Sequence, residues 1–224
     1  MGTSTSTLRA AALGAAAAAL AACVGSGGGA GGGPVMSHWT PAPPGTTWQV
    51  VQRNTGSYGQ DAQVTWTRED TRWKGAPAIG LKSSMGTVIM TEPVGGRWVS
   101  VVDTGGKPVL SYDPPIGWQF PLKVGKTWSQ HERMTLHASS KVVEFDFACK
   151  VEAFEKVTVR AGTFDAFRIH CKTPGTDDIY WISPRVGPFV KTQLRRDANS
   201  MFGAGTQEQE LVSAPAARPN TAAM

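Results

Sequence analysis

The stretch KVVEFDFACKVEAF, residues 141–154, decides the fold of this chain. Its apolar side chains occupy alternate positions and its charged side chains mostly fall between them, which is the period of a β-strand with one dry and one wet face. A second alternating run at residues 166–172 returns after the sequence VTVRAGTF at residues 157–164. The pattern predicts a long antiparallel hairpin that turns near Arg160.

The register of this hairpin follows from its hydrophobic pattern. Placing Ala153 opposite Phe167 keeps the apolar side chains of both strands on one face, whereas a slip by one residue would invert the faces. The same register brings Cys149 opposite Cys171. The third cysteine, Cys23, belongs to the N-terminal signal described below, so the pair is even. In an oxidising compartment such a pair predicts a cross-strand disulfide, with two inert buried thiols as the alternative.

The rest of residues 45–213 shows the same alternation, with turn residues about every ten positions, which is typical of an all-β domain. We predict a single antiparallel curved sheet, or a partly open barrel or sandwich, of about ten strands. The expected strands outside the hairpin are residues 46–53, 62–68, 87–91, 97–103, 108–112, 127–138 and 207–212, together with two strands joined by a proline-enforced corner within residues 177–191.

The N-terminus has the features of a secretory signal peptide over residues 1–22: a polar start with Arg9, followed by an Ala/Leu run. That run, Ala10 to Ala22, has 13 residues, fewer than the roughly 20 that span a bilayer. Its last three residues and the next one, Leu20-Ala21-Ala22-Cys23, resemble the lipobox of bacterial lipoproteins. The resemblance implies cleavage before Cys23 and attachment to membrane lipid through several acyl chains on that residue, since one chain alone binds only marginally.

Two low-complexity segments flank the predicted β domain. Residues 23–44, after the signal, are rich in glycine and proline, which predicts a flexible tether. Residues 214–224 are mainly alanine, proline and asparagine, which predicts a disordered tail. The domain organisation is therefore signal peptide, lipidated tether, β domain and tail.

The charge balance is modest. The formal net charge of +5 is dispersed, which does not favour a nucleic-acid partner. The densest basic patch comprises Lys191, Arg195 and Arg196. We interpret it as the solvated face of an edge strand, where basic side chains prevent pairing with another chain; contact with anionic lipid or lipopolysaccharide is the alternative.

Three segments of the second half carry a resemblance: FPLKVGKTW at 120–128, VTVRAGTFDAF at 157–167 and YWISPRVG at 180–187. They resemble the TapB-like proteins of the bacterial envelope. The resemblance covers about residues 120–196 and implies a curved antiparallel β-sheet in an exported or lipid-anchored protein. It transfers no catalytic residues.

No motif predicts catalysis or cofactor binding. Asp103-Thr104-Gly105 after two valines matches the aspartic protease signature, but that chemistry needs two carboxylates that share a proton. A hairpin turn is the expected role, with an aspartic-type hydrolase around Asp103 as the alternative. The four histidines, at 38, 131, 137 and 170, lack the spacing of a metal site. We therefore predict no catalytic residues, no metal, no cofactor and no enzyme activity.

The eight tryptophans suggest two interpretations. They either fill the core, where aromatic side chains bury large areas, or line an open concave face that takes an acyl chain or another hydrophobic ligand. The sequence thus predicts a non-enzymatic envelope lipoprotein that binds a lipid or envelope protein partner, or acts as a pure scaffold. Val24 after Cys23, rather than aspartate, favours the outer membrane facing the periplasm in a Gram-negative cell.

Overall fold

The structure is a computed structural model that describes residues 33–186 and 189–214. Twelve antiparallel strands form one closed barrel in which each strand pairs with the next along the chain, and β12 pairs with β1. The predicted signal peptide and Cys23 lie outside the described residues. The strands are β1 Thr47–Gly56, β2 Ala62–Trp73, β3 Ala76–Ser83, β4 Thr87–Thr91, β5 Trp98–Asp103, β6 Pro108–Ile116, β7 Thr127–Leu136, β8 Lys141–Val159, β9 Gly162–Thr173, β10 Thr176–Ile182, β11 Lys191–Arg196 and β12 Gly205–Ser213.

The prediction of an all-β antiparallel domain is confirmed, whereas the strand number and the openness of the sheet are corrected. The sheet has twelve strands rather than about ten, and its curvature closes it into a complete barrel rather than leaving it partly open. Strand β3 was not predicted from the sequence. Closure removes both sheet edges, because the backbone groups that β1 and β12 would expose as edges bond to each other.

The hairpin of β8 and β9 contains the predicted cysteine pair. Cys149 lies opposite Cys171 and forms a disulfide with it, with the two Cα atoms 4.1 Å apart. A β-bulge between Val151 and Ala153 corrects the register beyond that point: Ala153 faces Arg168 rather than Phe167. Glu152 is the extra residue of the bulge. A one-residue insertion exchanges the two faces of a strand, so the positions of β8 after Glu152 point to the faces opposite to those expected from the alternation before it.

The tip of this hairpin closes one end of the barrel. It reaches β12, three strands further around the sheet, where the Ala161 N–H donates to the Leu211 carbonyl over 3.0 Å. Arg160 Nε lies 2.9 Å from Glu210 Oε1. Val157 and Val159 join one core cluster with inward side chains of the distant strands: Val50, Val64, Leu81 and Leu211. The apolar tip therefore acts as a plug.

The segment before β1 covers the same end. Met36 is buried and forms an isolated bridge with Leu122, with N···O distances of 3.0 and 2.8 Å. The ring of Trp39 lies so close to Gly96 that a Cβ there would come within 2.6 Å of it. The part of the predicted flexible tether that the structure describes, residues 33–44, is thus held against the barrel in part.

Candidate functional site

Two adjoining cavities occupy the barrel interior, with volumes of about 400 Å³ and 370 Å³. Both volumes fall in the range of small-molecule sites. Four residues line both cavities: Tyr58, Trp98, Tyr180 and Leu194. The first cavity, bounded mainly by β1–β4 and β12, has no charged lining residue and is called here the neutral chamber. The second, bounded mainly by β6–β8, β10 and β11, is called the charged chamber.

The neutral chamber has tryptophan walls and an amide pair. Trp48 and Trp66 face each other across β1 and β2 and both line the chamber. The Gln52 Nε2 group donates to Gln209 Oε1 over 2.9 Å, and both side chains are buried. Because the two amides partly satisfy each other's hydrogen-bonding capacity, an apolar ligand in this chamber would leave few buried amide groups without a hydrogen bond.

A cluster of aromatic rings lies between the two chambers: Trp118 lines the charged chamber, Phe189 lines the neutral chamber and Tyr180 lines both. Trp118, in the loop after β6, meets Tyr180 edge to face, with 4.9 Å between ring centroids. It also lies 6.1 Å from Phe189, and Phe189 lies 5.5 Å from Tyr180. Such contacts are favoured by the ring quadrupoles and hold the rings in place. The covered end of the charged chamber is therefore aromatic and apolar.

Asp178 is an inward carboxyl whose oxygens have partners. Its Oδ1 accepts from the Arg195 backbone N–H over 3.2 Å, and its Oδ2 accepts from the Tyr180 hydroxyl over 3.2 Å. Burial raises the pKa of Asp178 to about 6, although these two hydrogen bonds and the charge of Arg196 act in the opposite direction. Burial, followed by the charge of Asp178, raises the pKa of Tyr180 well above its ordinary value.

Arg196 lies at the end of β11 and lines the charged chamber. The centre of its guanidinium lies 4.0 Å from the ring centroid of Tyr58 and 4.9 Å from that of Phe202. Its Nη1 donates to the Ser57 hydroxyl over a long 3.5 Å. None of the ion pairs found among residues 33–186 and 189–214 includes Arg196. The two rings fix the guanidinium while most of its five N–H groups remain available.

Glu132 is a second buried carboxyl, on the inward face of β7. It is fully buried, and neither oxygen has a hydrogen-bond partner among the described residues. Burial raises its pKa to about 7; the charges of Arg97 and His131 oppose this shift and that of Asp113 adds to it. Burial, reinforced by the charge of Glu132, raises the pKa of Tyr112 to about 12.

The end of the barrel away from the plug is a mouth with an apolar rim. Met85, Met201 and Phe202 line the chambers and are also exposed, at 60%, 42% and 42% of their surfaces. They lie in the turns after β3 and β11. A ligand could enter here, because the opposite end is covered by the hairpin tip and the segment before β1.

The structure places six of the eight tryptophans in the walls of the two chambers or in the core, and Trp48 belongs to both. Trp48, Trp66, Trp98 and Trp118 line the chambers. Trp128 and Trp181 belong to the buried core clusters, so they fill space as the simpler interpretation expects.

The interpretation of Lys191, Arg195 and Arg196 as an edge-strand face is wrong. They lie on β11, which pairs with β10 on one side and β12 on the other. Arg195 is exposed, whereas Arg196 lines the charged chamber. The closed topology, which the sequence pattern did not show, is the reason for the difference.

The structure places Asp103 at the end of β5, immediately before the turn to β6. Its Oδ1 accepts from the backbone N–H groups of Gly105 and Lys107, both over 2.9 Å, as in a turn stabilised by aspartate. The described contacts of Asp103 include no second carboxylate. Among the four histidines, His131 contacts Asp146 and His137 contacts Ser111. The residues that the structure describes contain no group of three or more side chains suited to a metal ion.

Sequence reasoning missed the polar residues of the chambers. Glu132 follows Trp128 and Gln130 in the alternation that ends at Met134, so its inward position could have been found from the period of β7. Asp178 alternates in the same way with Tyr180 and Ile182 on β10. Within the described part of the chain, no helix is long and apolar enough to span a membrane.

The comparisons with known proteins add a likeness in fold only. The chain matches no protein-family model and no curated protein. Its fold is similar to that of a hypothetical lipoprotein, YmcC, from Escherichia coli (K12), at 12% identity and a TM-score of 0.46 over 80% of this chain and 92% of the other. It is also similar to a proposed lipoprotein from Parabacteroides distasonis ATCC 8503, at 13% identity and a TM-score of 0.41 over 80% of this chain and 99% of the other. A proposed exported protein with a YmcC-like fold from Bacteroides fragilis NCTC 9343 has 9% identity and a TM-score of 0.43 over 80% and 99%. At these scores, the likenesses support no statement about function.

Proposed function

We propose that this protein is a non-enzymatic lipoprotein of the bacterial envelope whose barrel binds a lipid or another hydrophobic ligand. The observation that supports binding is the pair of adjoining chambers, about 400 Å³ and 370 Å³, that reach an apolar mouth. Four tryptophans line them. A ligand that moves its apolar surface from water into these walls gains about 25 cal/mol per Å² buried, before the costs of association.

The few polar groups of the chambers suit orientation of a ligand. Binding sites for small molecules combine mainly apolar walls with a small number of placed polar groups. Among the polar lining residues here, the Gln52–Gln209 pair, Asp178 and Arg196 offer the amide and charged groups best suited to this role. These residues lie on the neighbouring strands β1, β12, β11 and β10, so together they would fix the orientation of a bound ligand.

The proposed location rests on the N-terminal sequence. A signal peptide over residues 1–22 and a lipidated Cys23 would anchor the barrel to membrane lipid. The disulfide between Cys149 and Cys171 suits an oxidising compartment such as the periplasm. Val24 favours the outer membrane if the cell is Gram-negative.

The test is binding of the neutral fluorescent probe N-phenyl-1-naphthylamine to the mature protein, with and without a blocked interior. Leu194 lines both chambers, so Leu194→Trp places a large ring between them and should weaken probe binding at least about tenfold, which corresponds to roughly 1.4 kcal/mol. Gln193→Trp is the matched control, because successive side chains of β11 point to opposite faces.

Native mass spectrometry of the same proteins supplies a second measurement. The wild type should carry a lipid-sized adduct or take up an added amphiphile one to one, and Leu194→Trp should not. Equal probe binding by the two tryptophan variants, both folded by near-UV circular dichroism, would contradict a site in the lumen. A wild type that binds no probe would instead favour a scaffold for another envelope protein.

A further inference from the structure

The charged chamber contains a cation, Arg196, that forms no direct ion pair with any described residue. Arg196 is held by Tyr58 and Phe202 at 4.0 and 4.9 Å, and its one described hydrogen bond is the 3.5 Å contact to Ser57. A guanidinium has five N–H donors in a planar fork. Because the stacked rings pre-organise this fork, little side-chain entropy is lost when an anion binds to it.

The nearby carboxyl groups are not ion-pair partners of Arg196. Glu144, which also lines the charged chamber, pairs instead with Arg133 over 3.2 Å. Asp178 already accepts hydrogen bonds from the Arg195 N–H and the Tyr180 hydroxyl. Glu132 is fully buried and does not reach the lining of the charged chamber. The donors of Arg196 are thus the strongest polar groups with bonding capacity left at the chamber surface.

The position of Arg196 gives the charged chamber a polar end and an apolar end. On β11 it lies opposite Thr176 and Gly205, next to the turns that form the mouth. Trp118 and Phe147 line the same chamber at the covered end, where Trp118 packs against Tyr180 and Phe189. The polar end of a bound molecule therefore belongs at the mouth and its apolar end near Trp118.

We propose that Arg196 binds the anionic head, a carboxylate or a phosphate, of an acyl amphiphile whose tail lies along the charged chamber toward Trp118. This inference rests on the proposed function. The head would accept two parallel N–H···O bonds from the guanidinium, the geometry that arginine offers to carboxylates and phosphates. The tail would displace water from the aromatic walls.

The test measures displacement of bound N-phenyl-1-naphthylamine at pH 8 by three amphiphiles of equal chain length: hexadecanoate, hexadecyl phosphate and neutral hexadecanol. The wild type should bind the two anions about tenfold or more tightly than the alcohol, as expected for hydrogen bonds to charged groups. Arg196→Gln should lose this preference and keep its affinity for hexadecanol within about twofold, while Arg196→Lys should keep part of it.

Arg195→Gln is the matched control, because it removes the same charge from the neighbouring, exposed position. It should leave the preference unchanged. Inorganic phosphate alone should not displace the probe, which distinguishes an amphiphile site from a site for free anions. Two results would overturn this inference alone. One is a wild type that binds the probe but has equal affinity for the two anions and the alcohol. The other is an Arg196→Gln protein that retains the preference for the anions. A wild type that binds no probe would overturn the proposed function as well.

Discussion

Replacing Glu132 by glutamine should make the barrel more stable at neutral and alkaline pH. Glu132 is fully buried on β7, and neither carboxyl oxygen has a hydrogen-bond partner among the described residues. Its charged form is therefore costly, because an unpaired charge in a low-dielectric interior loses its hydration without compensation. Glutamine has nearly the same shape and no charge, so it removes the cost without opening a cavity.

The magnitude follows from the pKa of the carboxyl. Burial raises this pKa from 4.5 to about 7, and each pKa unit corresponds to about 1.4 kcal/mol. A carboxyl with a raised folded-state pKa favours the native state below its unfolded pKa and destabilises it as pH rises from about 4.5 through 7. The cost above pH 7 is therefore about 3 kcal/mol.

The assay is urea unfolding of wild type and Glu132→Gln at pH 5, 6, 7 and 8. The free energy of unfolding of the variant minus that of wild type should rise with pH by about 2 to 3 kcal/mol over this range and then level off. The difference isolates this group from Asp178, whose raised pKa affects both proteins equally. Glu69→Gln, at an exposed position of β2, is the control and should show no comparable rise. A difference for Glu132→Gln that stays constant within about 0.5 kcal/mol would refute the reasoning.

Two further predictions concern the covalent bridge and a close backbone contact. The double variant Cys149→Ala/Cys171→Ala, which opens a loop with a sequence separation of 22, should lose about 3 kcal/mol in the chain-entropy model and about 6–12 °C in Tm; chemical reduction of the wild type should give a similar loss, and a change below 2 °C would contradict it. Gly175→Ala should destabilise the barrel by at least about 1 kcal/mol more than Gly59→Ala, because only the former adds a steric clash. Both glycines have φ near +80°, at 76° and 81°, but only at Gly175 would the added Cβ meet backbone, 2.6 Å from the Ser200 nitrogen. Equal Tm values for these two variants would contradict this explanation.

The β8–β9 hairpin shows how much of the fold can be predicted from the sequence. The alternation of residues 141–154, the turn near Arg160 and the cysteine pair are all local features, and the structure contains each of them. The bulge at Glu152 escaped prediction because a charged residue at an outward position looks the same in a regular strand. Strand β3 escaped for a different reason: four successive residues, Ala78 to Leu81, are buried, so the alternation that marks a strand with one wet face is absent.

The interior site depends on features that no local pattern contains. The inward period of β7 and β10 predicts that Glu132 and Asp178 point into the domain, but not what lies opposite them. Arg196 was assigned to an outer face because basic residues on an edge strand are common. Only closure through β1 and β12 makes β11 an interior strand and brings Arg196 beside Tyr58, which is 138 residues away in sequence (196 − 58).

Closure through the first and last strands also constrains how the chain reaches its native state. β1 is made early, yet one of its two neighbours, β12, follows about 150 residues later, with Asn54 opposite Gln207. Until residues 205–213 arrive, β1 and β11 both expose unpaired backbone groups that invite pairing with other chains. A product truncated before Gly205 would therefore be prone to aggregation and proteolysis. The barrel can close only after β12, the last strand of the chain, has been synthesised.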